Sequence, residues 1–322
     1  MHTLSSFTFG MAIAMAGAAA NAQVVNSIQQ SGSGNKAYAQ QRAVDSELSY
    51  MQATITQIGN NNIAGDPDTQ TPGIVQVLGD TRASIVQQGD ANQASLVQDQ
   101  IERNDLHLLQ EGVGNVARLK QLQAYETTSY VEQSGAGNQA LATTVDSNSF
   151  GHGIWQYGTD NRASVDQRRN GYGEVGIRQG GLSNTADVEQ SASFYSFTDI
   201  WQTGEFNATV VRQDNVEATY GVTVWQDGKR NQVRADMQGS ANGQLIDQMG
   251  DDNTADVRQS GGFNHADVVQ FGNSNSVTVG QTGTPGLGDA GGNRATINQE
   301  GNAFTVRLTQ NGNGNQAGAY QH

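Results

Sequence analysis

The sequence predicts an all-β protein, a β-solenoid of about twelve stacked rungs in which each rung is a strand, a turn, a second strand and a second turn. Three observations predict this fold. The pattern Q-x-G-x-x-N-x-A-x-V-x-Q, seen in residues 156–167, recurs along the chain. Side chains alternate with a period of two, as in strands. All three prolines fall in two loop inserts, near 65–73 and 282–292, where they remove no N–H from a strand pair.

The repeat is defined by its opening Gln, which recurs every 22 to 24 residues wherever no loop is inserted. This spacing gives twelve full units and a terminal half. The opening residues are Gln30, Gln57, Gln87, Gln110, Gln133, Gln156, Gln179, Gln202, Gln226, Gln248, Gln270, Gln299 and Gln321.

Each unit places amide and aliphatic side chains on one face. In residues 184–190, Asn184, Ala186, Val188 and Gln190 share a face, and the residues between them are polar. A Gly two residues after the opening Gln supplies the positive φ that a tight turn between strands needs. The predicted turn glycines include Gly112, Gly135, Gly158, Gly181, Gly204, Gly228 and Gly250.

Stacking follows from the small apolar content of one rung, which cannot offset the entropy lost on ordering it. Rungs stacked at about 4.8 Å pair their backbones and align identical amides as ladders, a cross-β, amyloid-competent arrangement. A shift of one residue would bury the polar face. The predicted ladder residues include Gln110, Gln133, Gln156, Gln179, Gln202, Gln226, Gln248, Gln270, Asn115, Asn138, Asn161, Asn184, Asn207, Asn231 and Asn253.

The outward residue before the closing Gln of each unit gives a further test of stacking. In four successive units this residue is Glu189, Arg212, Asp236 and Arg258. The signs alternate, as expected for favourable neighbours on adjacent strands.

Composition limits the function. The chain has 31 acidic and 17 basic residues, a net charge of −14, five His and no Cys. Disulfides and the usual zinc patterns are therefore excluded, and nucleic acid is a poor partner. His107, His152 and His265 occupy different repeat positions, and the carboxylates mostly face outward. We predict no catalytic residue, cofactor or metal site.

The N-terminus carries a targeting signal. Residues 7–20 form a short apolar run that ends in Ala20-Asn21-Ala22, the small-x-small pattern cut by signal peptidase. We predict a signal peptide over residues 1–22 and a mature repeat domain over residues 23–322. The repeats begin soon after this site and reach Gln321, so we expect both ends of the stack to be open. An open top that matches an open bottom gives a head-to-tail homopolymer.

Three tryptophans stand out on the outward face. Trp155, Trp201 and Trp225 each immediately precede an opening Gln, which places them on the outside of the same sheet. One interpretation is incidental packing of the sheet surface. The other is an exposed aromatic strip for lateral fibre association or carbohydrate contact.

The Gln, Gly, Asn, Ala, Val, Gln pattern, in an exported chain without Cys, resembles the curlin repeat of curli subunits, the extracellular functional amyloid of bacterial biofilms. The resemblance implies secretion through an outer-membrane channel, a periplasmic chaperone, nucleation at the cell surface, and fibres that serve adhesion and matrix. The last repeat keeps its Gln and Gly positions with Phe304 in place of Asn, which favours a fibre-forming subunit. The alternatives are a surface-bound nucleator and a polysaccharide-binding or polysaccharide-cleaving β-helix protein.

Overall fold

The computed structural model describes residues 13–14, 23–42, 50–66, 71–77, 79–100, 103–217, 220–283 and 292–322. The chain forms two compact units, residues 1–160 and 161–322. The described residues form strands and turns, and they include no helix that is long and apolar enough to cross a membrane. The predicted signal peptide, apart from residues 13–14, lies outside these ranges and stays a prediction.

The first unit contains two sheets. Strands that carry the opening Gln form the first sheet, in the order β2-β5-β9-β11-β13-β15, and the others form the second sheet, in the order β1-β4-β8-β10-β12-β14 with β3, β6 and β7 beside it. The strands are β1 Ile13–Ala14, β2 Gln23–Ser31, β3 Lys36–Ala37, β4 Ala39–Arg42, β5 Tyr50–Ile58, β6 Ile63–Asp66, β7 Thr71–Pro72, β8 Ile74–Val77, β9 Thr81–Asp90, β10 Gln93–Asp99, β11 Asn104–Val113, β12 Val116–Leu122, β13 Thr128–Ala136, β14 Gln139–Val145 and β15 Asn148–Thr159.

The second unit repeats this plan. Its first sheet has the order β17-β19-β21-β23-β25-β27-β29, and its second sheet has the order β16-β18-β20-β22-β24-β26-β28. The strands are β16 Arg162–Arg168, β17 Gly171–Leu182, β18 Thr185–Ser191, β19 Phe197–Glu205, β20 Ala208–Glu217, β21 Gly221–Lys229, β22 Gln232–Ser240, β23 Gly243–Met249, β24 Thr254–Gly262, β25 His265–Phe271, β26 Ser276–Thr282, β27 Arg294–Glu300, β28 Thr305–Asn311 and β29 Gln316–Gln321.

Strand pairing confirms the predicted β-solenoid, with parallel strands stacked in about 12 turns. Each strand pairs with the equivalent strand of the next rung, so that Gln110 lies opposite Gln133 and Gly112 lies opposite Gly135. Because equivalent residues are stacked, each inward column holds one type of side chain along a unit.

The core lies between the two sheets of each rung and is only one layer of side chains thick. Alternate residues of β18 are buried, among them Ala186, Val188 and Gln190. Small aliphatic residues fill the centre, and amides fill the positions next to the turns. The low apolar content of the sequence is therefore enough to fill the interior.

The loop inserts leave the stacking register intact. The first insert interrupts a strand, because β10 pairs with Ile63 on one side of the insert and with Ile74 on the other. Pro72 lies in the antiparallel bridge of β7 with β6. Pro67 and Pro285, with residues 284–291 of the second insert, lie outside the described residues.

The register also reveals a third insertion that the sequence reading did not separate. Gln41 pairs with Gln76, and Gln57 pairs with Gln87. The first rung therefore uses 16 residues from Gln41 to Gln57, where the next rung uses 11 from Gln76 to Gln87, so five residues are added between β4 and β5.

Candidate functional site: amide ladders and strand edges

The opening glutamines form a directed hydrogen-bonded ladder in each unit. In the first unit, each Nε2 from Gln30 to Gln133 donates to Oε1 of the next opening Gln at 2.6–2.9 Å. In the second unit, the same bonds run from Gln179 to Gln321 at 2.8–2.9 Å. Gln57 through Gln299 are at most 2% exposed. Stacking thus gives each of these buried amides a partner above and below within its unit.

The asparagines after the turn glycines form a second ladder of opposite direction. The backbone N of Asn115 donates to Oδ1 of Asn92 in the preceding rung at 3.0 Å, and its Nδ2 donates to the Gly135 carbonyl of the following rung at 3.1 Å. Each Asn therefore links three rungs. The same forward bond to a glycine carbonyl is made by Asn138, Asn161, Asn184, Asn207, Asn231 and Asn253.

The turn glycines are required by both conformation and space. Their φ values lie between +106° and +124°, a region that favours glycine. A Cβ on Gly112 would overlap the carbonyl oxygen of Gly135. Because equivalent turns stack directly, a side chain here would push adjacent rungs apart. These φ values belong to Gly112, Gly135, Gly158, Gly181, Gly204, Gly228 and Gly250.

The closing glutamines form a ladder that is interrupted. Gln167, Gln190 and Gln213 are bonded in series, as are Gln259, Gln281 and Gln310. Thr144 and Met237 replace Gln in this column. The two amide columns of a rung are therefore unequal.

A second Asn column, in the turns after the closing Gln, escaped the sequence reading. The backbone N of Asn264 donates to Oδ1 of Asn242 at 2.9 Å, and Asn293 and Asn315 continue the column. The available signal was a second copy of the Q-x-G-x-x-N motif within one unit, as at Gln259 to Asn264 and Gln310 to Asn315.

The predicted alternating charge column is confirmed on the outer face of the second sheet. Arg212 lies 3.5 Å from Glu189 and 4.0 Å from Asp236, and Arg258 lies 3.6 Å from Asp236. These ion pairs are partly exposed and each contributes little, about 0–1 kcal/mol. They favour the same register as the buried amides.

The terminal strands have one free edge each. Within the described residues, β2 pairs with β5 alone, and β29 pairs with β27 alone. Oε1 of Gln30 and Nε2 of Gln321 have no hydrogen-bond partner in the described parts of the chain, although the other end of each amide is bonded to its own ladder. One edge thus presents an acceptor and the other a donor, in equivalent positions of the repeat.

The three tryptophans differ in environment. Trp201 and Trp225 are in register on β19 and β21, with 46% and 49% of their surfaces exposed. The Arg178 guanidinium lies 4.7 Å from the Trp201 ring centroid. Trp155 belongs to the first unit, is half-buried, and lies 5.8 Å from the ring of Tyr130. Adjacent stacking is shown for Trp201 and Trp225, and a role in lateral contact stays a prediction.

Titratable groups with shifted pKa values are scattered over the surface. Burial, together with a 2.6 Å hydrogen bond donated to Glu132, raises the pKa of Tyr130 to about 12. Burial raises the pKa of Asp247, and a hydrogen bond from Arg230 lowers the pKa of Asp252. Among the described residues, no group of three or more His, Asp and Glu side chains could hold a metal ion.

The predicted histidine positions are also separate. His152 is buried, with Nδ1 3.3 Å from the Ser129 hydroxyl, whereas His265 pairs with Asp267 at 2.9 Å on the surface and His107 is exposed. Each is explained by its local packing, and the arrangement favours a structural role over an acid–base pair.

Comparison with known families agrees with this geometry. Residues 250–283 match the family model of the curlin associated repeat. This range contains β24, β25 and β26, with one opening Gln, two closing Gln and both Asn columns. The predicted resemblance is confirmed, and the chain carries the curlin repeat. No curated protein sequence matches the chain.

Proposed function

We propose that this chain, which carries the curlin repeat, is an exported structural subunit that polymerises head to tail into extracellular curli-like amyloid fibres. The fibres would serve cell adhesion and the biofilm matrix. By likeness to the family, export would use a periplasmic chaperone and an outer-membrane channel, and a nucleator would start the fibre at the cell surface.

The complementary strand edges carry the proposal. When β29 of one copy lies against β2 of the next, Gln321 can donate to Gln30 and continue the opening ladder. The same register places Ala319 against Ile28, so aliphatic residues stack on aliphatic residues. Unpaired edges that match each other in this way template the next strand.

The second sheet supports the same junction. Gln310 of β28 is bonded on one side only, by Nε2 of Gln281 at 2.8 Å. At the other end of the repeats, Oε1 of Gln41 is buried without a hydrogen-bond partner in the described structure. Gln41 is covered by Ala14 of β1, which belongs to the predicted signal peptide. Cleavage after residue 22 would uncover this edge for Gln310 of another copy.

The fibre-forming role is favoured over the nucleator by the unbroken opening ladder, which reaches the last strand. One observation supports the alternative. Phe304 takes the Asn position of the last rung, where its backbone N donates to Asn275, but its side chain offers no amide oxygen to a following rung. A surface-bound nucleator is therefore the second candidate.

Polymerisation can be tested with purified residues 23–322 diluted out of denaturant. We expect binding of a cross-β dye, unbranched filaments by electron microscopy, and a fibre reflection near 4.8 Å. A protein that stays a soluble monomer under these conditions would contradict the proposal.

A variant at the free edge makes the test specific. Arg294 N donates forward to Asn315, and successive N–H groups of a parallel strand point to opposite neighbours. Gly318 lies two residues after Gln316, the partner of Arg294, so its N–H points to the free edge. Gly318→Pro should fold with a normal circular dichroism spectrum but fail to elongate. Gly318→Ala keeps the N–H and should elongate normally.

A further inference from the structure

A cluster of exposed aromatic side chains occupies three successive turns of the second unit, on the side that follows the closing strands. We call it the turn aromatic patch. Its members are Tyr172, Phe194, Tyr195, Phe197 and Tyr220, with exposures of 51%, 50%, 52%, 48% and 71%.

The patch is contiguous and rests on glycines. The rings of Tyr172 and Tyr195 are stacked, with centroids 5.2 Å apart and planes 11° from parallel. A Cβ on Gly171 would lie 2.6 Å from the Phe194 ring. Phe197 and Tyr220 line one cavity of about 160 Å³. The aromatic rings thus cover backbone that has no side chains of its own.

Local conformation argues that these tyrosines are present for their side chains. Tyr172 and Tyr195 both have a φ of +53°, a left-handed conformation that bulky residues rarely adopt and that Asn or Gly adopts more easily. A tyrosine in this conformation costs about 1 kcal/mol relative to glycine. The fold alone would be better served by Asn at both positions.

The size of the patch selects its occupant. An aromatic side chain has about 150–250 Å² of surface, so five of them at half exposure present roughly 500 Å². A stable pair of separate molecules needs about 800 Å² from each partner. The patch is therefore too small to hold two monomers together. A filament repeats it once per subunit, and many weak contacts along two filaments add up.

Charge favours the same occupant. The chain has a net charge of −14, so filaments repel each other over most of their surfaces. Residues 192–198, which contribute three of the five aromatic rings, contain no charged side chain. Two copies of this patch can meet with little charge repulsion.

We propose that the turn aromatic patch is the side-to-side contact between filaments, and that its partner is the same patch on a second copy of this chain. The inference rests on the proposed polymerisation. It places lateral association in the turns and not on the tryptophans of the first sheet.

The test compares two variants of the mature chain. The patch variant carries Tyr172→Asn, Phe194→Ser and Tyr195→Asn, changes that suit the turn conformations. The matched control carries Trp201→Thr and Trp225→Thr, which remove a similar exposed aromatic surface. Filament widths are measured by electron microscopy and bundling by low-speed sedimentation, with dye kinetics as the measure of elongation.

We expect the patch variant to elongate at the wild-type rate and its bundled fraction to fall at least fivefold, whereas the control bundles normally. Unchanged bundling of the patch variant would overturn the inference, as would loss of bundling in the control alone. Adsorption to microcrystalline cellulose that is lost in the patch variant, with bundling unchanged, would assign the patch to a glycan and refute lateral contact. Absence of wild-type filaments would refute the proposed function as well, so the two failures are distinguishable.

Discussion

Replacement of one opening glutamine tests whether the amide ladder stabilises the fold. Gln226 is 2% exposed and lies in the middle of the second unit. Its Oε1 accepts hydrogen bonds from Gln202 and Thr209, both at 2.8 Å, and its Nε2 donates to Gln248 at 2.9 Å. The substitution Gln226→Ala removes all three bonds.

The expected loss can be worked out from these contacts. Each net hydrogen bond contributes about 1 kcal/mol, and a buried acceptor left without a donor costs about 1–3 kcal/mol. Oε1 of Gln248 becomes such an acceptor, because Gln226 is its donor in the described structure. Three bonds and one unpaired acceptor give a destabilisation of about 4–6 kcal/mol. Gln226→Leu, which nearly preserves volume, should lose most of the same energy.

The assay is guanidinium denaturation of freshly desalted, dilute monomer followed by circular dichroism at the β-sheet band. Asp227→Ala is the matched control, since this neighbouring side chain is exposed and should change stability by no more than about 0.5 kcal/mol. If Gln226→Ala and Gln226→Leu unfold at the same denaturant concentration as the control, the ladder does not stabilise the rung and the reasoning is wrong.

Other predictions concern the turn, a surface tyrosine and the charge column. Gly228→Ala should destabilise by about 3 kcal/mol because of its φ of +124°, whereas Gly180→Ala should be neutral in the same denaturation assay, since a Cβ there meets nothing within 4 Å. The pKa of Tyr130, raised to about 12, stabilises the fold fully below pH 10, and this contribution is lost as the pH rises toward 12. Glu132→Gln should therefore lower the pH of alkaline unfolding, and an unchanged alkaline midpoint would contradict the assignment. Asp236→Asn should cost about 1 kcal/mol at low salt and less at 1 M salt, because salt screens exposed pairs, and an equal loss at both salt concentrations would argue against an ionic origin.

The opening column could be read from the sequence because its spacing and its chemistry repeat together. A step of 22 to 24 residues places Gln over Gln and Gly over Gly, and any other register would bury charge or leave amides unpaired. The structure shows these residues stacked, from Gln110 to Gln133 and from Gly112 to Gly135.

The features that escaped prediction lie where the repeat varies. The five added residues before β5 change the step from Gln30 to Gln57 without changing the register of either strand. The turn aromatic patch arises because turns of different length bring Tyr172 and Tyr195 together, and no fixed spacing in the sequence encodes that contact. The half-buried position of Trp155 likewise depends on the neighbouring ring of Tyr130, which alternation alone does not reveal.

The unequal amide columns have a mechanical consequence. In the second unit the opening ladder runs without a break from Gln179 to Gln321, while the closing ladder stops at Met237, whose thioether cannot replace an amide bond. A pull along the stack is therefore resisted more strongly on one side than on the other. Rupture should begin as a crack at the Met237 rung and open like a book, with the glutamine side as its spine.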